Sequence, residues 1–345
     1  GVRNSGTITA TLGKIGLASS NGFSLDLYGD KLITLNVSDS IASQVKDVAT
    51  GQTLSSLVSN DGKLKANGGR VELSAIAARQ VVDSVINNRG VVEARSIGKR
   101  DGKIVLAAAT SSSKVSGAPK QTVKVAGKLD VSSRKGNGGT VQITGEDIQL
   151  IGATIDASGA TGGGKVLIGG DLGGGNPSAL VTAALESYAI PNATTVSVDS
   201  ATTINASART TGDGGKVVVW SDGTTNFAGT VLARGGDTSG NGGFVEISGK
   251  DTLAFTGNVN TLAPNGESGT LLLDPAGGLY IDDAQAATIV SNLSGGNILV
   301  NTAGTLTVGS ALKWNNSHTL TLDAGSNIEI NANITATRGG LKLDA

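Results

Sequence analysis

Gly136-Asn-Gly-Gly-Thr-Val-Gln-Ile-Thr-Gly-Glu-Asp-Ile-Gln-Leu-Ile-Gly-Ala-Thr-Ile-Asp-Ala-Ser-Gly159 contains three short runs of alternating apolar residues separated by glycine turns. Val141 and Ile143, Ile148 and Leu150, and Ile155 and Ala157 each sit two apart, so each pair faces one side of a short strand. Runs of about four residues are too short to hold a sheet unless another copy lies directly against them. Stacked copies supply that neighbour, and the rest of the chain repeats the stretch.

The repeat is followed through an apolar-x-apolar anchor: Ile15/Leu17, Val71/Leu73, Ile104/Leu106, Val141/Ile143, Val166/Ile168, Val217/Val219, Val245/Ile247, Leu271/Leu273 and Leu341/Leu343. With Val196/Val198 counted as a further copy, the distance from Val141 to Val245 divides into four steps of about 26 residues, room for three strands and three turns. A second marker, Asn-x-Gly-x-apolar-x-Ala, occurs at Asn4 to Ala10, Asn60 to Ala66 and Asn88 to Ala94. It reads as a corner, since Asn and Gly tolerate the positive φ of a sharp turn. The gap from corner to next anchor varies, which marks one corner as the site of variable loops. The fold expected is all-β: a right-handed parallel β-helix of about 13 coils rising about 4.8 Å each, with short extrahelical excursions.

Composition agrees. The chain has 345 residues with 52 glycines and 5 prolines but no triplet period, which excludes collagen. Hydrophobic residues at 38% supply a core, and aromatics at 3% make it narrow and aliphatic. Cysteine is absent, so neither a disulfide framework nor a thiolate metal site exists. Methionine is absent too and the chain opens inside a running repeat, so an internal piece of a longer protein is expected. No stretch approaches the roughly 18 uninterrupted apolar residues of a membrane span. Residues 1–276 are expected to form a continuous array with excursions near 38–59 and 176–193, the second with a helix-like run over 179–188. Residues 277–345 are expected to add further repeats after a short helix near 284–293.

Charge is segregated although the formal total is −1. Residues 61–135 carry fifteen Lys and Arg against six Asp and Glu, whereas 136–345 carry eight against eighteen. Loops in equivalent places of consecutive repeats align in a column, so Arg95, Lys99, Arg100 and Lys103 on one coil are expected beside Arg134 and Lys135 on the next. Such a band suits weak, salt-sensitive binding of acidic polysaccharide or extracellular DNA; the plainer reading is a set of solvated outward positions.

Catalytic chemistry has little to work with. His318 is the one histidine, read as a turn residue, so Ser/His/Asp and zinc sets lack members. Glu146-Asp147 and Asp282-Asp283 are adjacent carboxylates, and strand neighbours point to opposite faces rather than across one sugar. Gly169–Gly175 and Gly235–Gly243 resemble calcium-binding nonapeptides only as isolated copies and read as tight turns. Trp220 is expected to point outward, as a sugar platform or as filling beneath an excursion.

Several stretches together resemble the filamentous-haemagglutinin-like large exoproteins of bacterial two-partner secretion: Asn4-Ser-Gly-Thr-Ile-Thr-Ala10, Leu25-Asp-Leu-Tyr-Gly-Asp-Lys-Leu32, Ala77-Ala-Arg-Gln-Val-Val-Asp-Ser-Val85, Gly163-Gly-Lys-Val-Leu-Ile-Gly-Gly-Asp171, Gly214-Gly-Lys-Val-Val-Val-Trp-Ser221 and Leu271-Leu-Leu-Asp-Pro275. The resemblance implies a β-helix exported through an outer-membrane partner transporter, and an adhesin at the bacterial cell surface or in the biofilm matrix. Its implied partners are polysaccharide or a host or neighbour-cell receptor, with no cofactor, no catalytic residues and no metal. The family's secretion domain carries Asn-Pro-Asn motifs and here only Asn176-Pro-Ser occurs, so a place downstream of that domain is expected. Two alternatives remain open: a polysaccharide-cleaving β-helix of the lyase or tailspike kind, and the stalk of a contact-dependent toxin-delivery exoprotein.

Overall fold

The three runs within 136–159 go to three different walls, as the strands Thr140–Thr144, Asp147–Leu150 and Thr154–Asp156. Each pairs in parallel with a strand one coil before it and one coil after it. The computed structural model describes residues 1–19, 22–25, 33–36, 45–48, 50–75, 84–108, 121–175 and 190–345. Over these the chain is a parallel β-helix with two walls of 8 strands and a long wall of 11. Gly22–Leu25 and Ile33–Asn36 pair antiparallel as a separate two-stranded sheet.

All nine anchor pairs lie in the long wall and in register, from Ile15↔Val71 at one end to Leu320↔Leu341 at the other. Val71, Ile104, Val141, Val166, Val217 and Val245 are fully buried rungs of one ladder. Burial of each such side chain is worth roughly 1.5–3 kcal/mol, so the column holds the wall where no single coil could. Two rungs were not read from the sequence, Ile298/Val300 and Leu320/Leu322. Val196/Val198 is not a rung of this wall: it pairs with Ile148/Leu150 in a shorter wall, so Val166 and Val217 are consecutive. Period-two alternation marks the inward face of any wall and does not say which wall a strand joins. Among the described residues the long wall has 11 strands, against the about 13 coils expected from an even repeat, because consecutive rungs such as Ile15 and Val71 are unevenly spaced in sequence.

The Asn-x-Gly marker is a correction as well. None of Asn4, Asn60, Asn88, Gly6, Gly62 or Gly90 has a positive φ. The asparagines end strands in register and face inward, where Asn4 Nδ2 donates to Asn60 Oδ1 at 2.8 Å and Asn60 Nδ2 to Asn88 Oδ1 at 2.7 Å. A Cβ on Gly62 would fall against the carbonyl oxygen of Gly6, and one on Gly90 against that of Gly62. Close stacking of coils, not turn conformation, demands these glycines. The asparagine column continues in register through Val125, Leu150, Val198 and Phe227 to Phe255, whose ring stacks on Phe227 at 6.0 Å.

Residues 56–59, inside the excursion expected near 38–59, belong to the buried wall strand Ser56–Asn60. The helix-like run 179–188 lies outside the described residues. The two shorter walls end at Thr252–Phe255 and Asn258–Asn260, while the long wall runs on. After them helix α1 (Asp283–Asn292) is capped by Asp282, whose side chain accepts from the Gln285 amide at 2.9 Å. New parallel pairs flank it: Leu279–Ile281 with Leu306–Val308, Leu306–Val308 with Ile328–Ile330, and Leu312–Trp314 with Ile334–Ala336.

Candidate functional site: the basic corner

The loops between the second shorter wall and the long wall stack on one another. Ser96 N donates to Ser132 O at 3.1 Å and Ser133 N to Ser158 O at 2.9 Å, one coil to the next. In the first loop Ile97 and Arg100 exchange backbone hydrogen bonds of 2.9 and 3.0 Å around Gly98 (φ +62°), leaving Lys99 at the tip. In the second, Ser133 Oγ accepts from Gly136 N at 2.9 Å. Lys99, Arg100, Arg134 and Lys135 are all exposed, on neighbouring loops of the same corner.

Arg95 does not belong with them. It is half-buried, and its Nη2 and Nε lie 2.8 and 3.1 Å from Asp130 Oδ2. Burial works to raise the Asp130 pKa, but the hydrogen bonds from Arg95 and Ser132 and the charge of Lys128 outweigh it and hold it at about 2. Arg95 is therefore the counter-ion of a carboxylate that adjacent coils enclose. Lys103 also differs from the loop residues: it lies on a strand of the long wall, in register with Arg70 and Lys14, and has an interaction of its own inside the protein. The sequence reading missed Lys14 and Arg70. The signal was present, since a cation directly precedes the anchor at Lys14, Arg70, Lys103, Lys165 and Lys216.

A second charged feature lies on the outer face of the same wall. Leu167, Leu172, Val218, Trp220 and Leu272 form a small apolar cluster. Trp220 points outward and is covered, with Nε1 donating to Asp222 at 3.2 Å, so it is no sugar platform. Glu246 is fully buried beside the cluster, accepting from Gly173 N at 3.1 Å and Ser248 Oγ at 3.0 Å. Burial pushes its pKa up to about 8 against those hydrogen bonds. Lys216 pairs with Asp171 at 3.5 Å, both buried. The stretches Gly163–Asp171 and Gly214–Ser221 contain most of this set, but no motif pointed to Glu246 or brought the residues together.

The adjacent carboxylates have structural partners. Glu146 accepts from Gln121 N at 3.0 Å, Asp147 from Thr122 and Gln149, and Asp283 from Ser310. His318 is part-buried and bridges coils, with Nδ1 2.6 Å from Leu293 O and Nε2 3.0 Å from Ser268 Oγ. Among the described residues no three His, Asp or Glu side chains converge as a metal site, and no helix is long and apolar enough to cross a membrane.

No protein-family model matches the chain. A heme/hemopexin-binding protein of Haemophilus influenzae is 41% identical over 56 residues, which are 16% of this chain and 6% of that protein. The HMW1 secretion domain from Haemophilus influenzae superposes with a TM-score of 0.54 at 26% identity, over 76% of this chain and 59% of that one. The chain thus spans little of the one relative and over half of the other. Their likeness supports the two-partner-secretion exoproteins as the group this β-helix resembles, without singling out the filamentous-haemagglutinin branch.

Proposed function

We propose that this chain is the β-helical shaft of a secreted adhesin of the filamentous-haemagglutinin-like type, exported through an outer-membrane partner transporter and acting at the bacterial surface or in the biofilm matrix. Residues 1–276 and 277–345 serve in it as successive parts of one array. The likeness to a secretion domain supports export; it gives no support to a place downstream of such a domain, which rests on the missing Asn-Pro-Asn motifs alone. The stacked loops carrying Lys99, Arg100, Arg134 and Lys135 are the attachment surface, and their ligand is a polyanion. The single observation behind this is that four exposed cations share one corner on adjacent coils. Coils rise by about 4.8 Å, inside the Debye length of about 8 Å at physiological salt, so the charges act together.

The test is affinity for long acidic polysaccharide and for DNA across a salt series, comparing the parent with a variant carrying Gln at all four positions. Binding that weakens with salt and drops in the variant supports the reading. Equal retention of both proteins at low salt would leave the chain a spacer.

A further inference from the structure

Beside the basic corner, on the outer face of the long wall, lies a cleft of about 430 Å³ lined by Leu12, Lys14, Arg70, Arg100, Asp101 and Lys103 among others. That volume is in the range of small-ligand pockets. Lys14, Arg70 and Lys103 are register partners on three consecutive strands, so their backbones stand about 4.8 Å apart. Like charges directly opposite one another on neighbouring strands are unfavourable. Each has a contact within the protein, Arg70 with Glu72 at 2.8 Å, yet with Arg100 four cations line a cleft to which, among the described residues, Asp101 is the one contributing carboxylate.

The rim of the cleft has a different chemistry. Leu12 is 51% exposed and Ile97, beside it, is 45% exposed. Both reach over Gly68, where an added Cβ would lie 2.6 Å from Leu12 Cδ2 and 3.3 Å from Ile97 Cβ. Among the described residues Leu12 is the one non-glycine with a positive φ, +59°. A branched apolar residue seldom adopts that conformation. An exposed leucine held in an unfavourable backbone at the lip of a charged cleft is an outlier of the sort that clusters at ligand clamps.

We propose that this cleft binds an acidic sugar residue, with its carboxylate or sulfate among Lys14, Arg70, Lys103 and Arg100 and the C–H face of its ring against Leu12 and Ile97. Single-stranded nucleic acid is held chiefly by bases stacked on aromatic side chains, and among the described residues no aromatic one lines the cleft. A chain of acidic sugars presents an anionic group and an apolar ring face on each residue, which matches the two chemistries present. The inference rests on the polyanion reading of the corner and narrows it to a substrate class and to a set of residues that shares only Arg100 with the corner loops.

The experiment is titration calorimetry of the whole chain with a galacturonic acid tetramer, a sulfated chondroitin tetrasaccharide, maltotetraose and a thymidine oligonucleotide. One or both acidic sugars should bind, the two arms telling carboxylate from sulfate, with maltotetraose and the oligonucleotide at least tenfold weaker. Lys14→Gln and Lys103→Gln should each weaken binding several-fold. Leu12→Gly, which relieves the backbone, should weaken it at an unchanged or higher melting temperature. Arg134→Gln with Lys135→Gln should leave it within twofold. Equal binding of maltotetraose or the oligonucleotide, or full affinity in Lys14→Gln, overturns the cleft. Long polymers bound through the corner loops while no tetramer binds would remove the cleft and keep the corner. Tetramer binding lost in Lys14→Gln while long polymers ignore the variant with Arg134→Gln and Lys135→Gln would do the reverse.

Discussion

Asp130 and Glu246 are both buried carboxylates of the same solenoid, yet they sit at opposite ends of the acidity range. Asp130 belongs to the basic stretch, with Arg95 at 2.8 Å and Lys128 at 3.2 Å, and its pKa is held at about 2. Glu246 belongs to the acidic stretch. The cation near it, Lys216, is paired with Asp171, and burial pushes the Glu246 pKa to about 8. Asp274, half-buried, is pushed up to about 6, by burial first and then by the charge of Asp323. Asp130 and Glu246 differ in their neighbours. At Asp130 burial is overcome by pairing with Arg95 and Lys128, whereas at Glu246 the nearby cation is already engaged by Asp171 and burial keeps the proton on.

The difference is confined to the surfaces and corners, because the inward ladder is continuous through both regions. Val71→Asp in the basic stretch and Val217→Asp in the acidic one should each cost several kcal/mol, since both place an unpaired carboxylate among fully buried aliphatics. Denaturant unfolding of the two variants checks this. A large loss in one and parent-like stability in the other would break the comparison at its base, by showing that the two stretches do not share a core.

The second test concerns sign. Glu246 binds its proton more tightly folded (about 8) than at its ordinary value of 4.5, so rising pH removes stability between those values. Glu246→Gln should match the parent near pH 4 and exceed it by roughly 4 kcal/mol at pH 8. Asp130 runs the other way. Its depressed pKa contributes stability that is present above the ordinary value of 3.8 and lost as pH falls through about 2. Asp130→Asn should be roughly 2 kcal/mol less stable at pH 7, with the gap closing towards pH 2. Melting temperatures of both variants across pH 2 to 9 give two crossing patterns; parallel ones would remove the contrast.

The inward ladder was legible in the sequence because a buried strand face must alternate, and Val71, Ile104, Val141, Val166, Val217 and Val245 do. Which wall a strand joins was not legible, since Val196/Val198 alternates in the same way and pairs elsewhere. The asparagines were read as corner residues because local propensity speaks for turns, whereas the Asn4–Asn60–Asn88 ladder is made by residues far apart in sequence. The exposed loop cations were legible because loop positions recur coil after coil. The pairing of Arg95 with Asp130 was not, since it depends on inter-coil geometry that spacing alone does not provide. Glu246 was hidden for the related reason that nothing local marks an outward strand position as covered.

The smallest expected effect asks whether the acidity of Asp130 comes from nearby charge or from hydrogen bonds alone. Lys128 is about 40% exposed on its side chain, so its pair with Asp130 is worth well under 1 kcal/mol once solvent screening is counted. Lys128→Gln should therefore leave stability at pH 7 nearly unchanged while moving the acid unfolding midpoint upward, because Asp130 then takes up its proton more readily. The shift should fade in 1 M salt, where the Debye length falls to about 3 Å. The gain in Glu246→Gln should survive that salt, because it arises from burial. An acid midpoint that ignores Lys128 would assign the low pKa to Arg95 and Ser132 as hydrogen-bond donors. The contrast with Glu246 would then be one of donor number rather than of neighbouring charge.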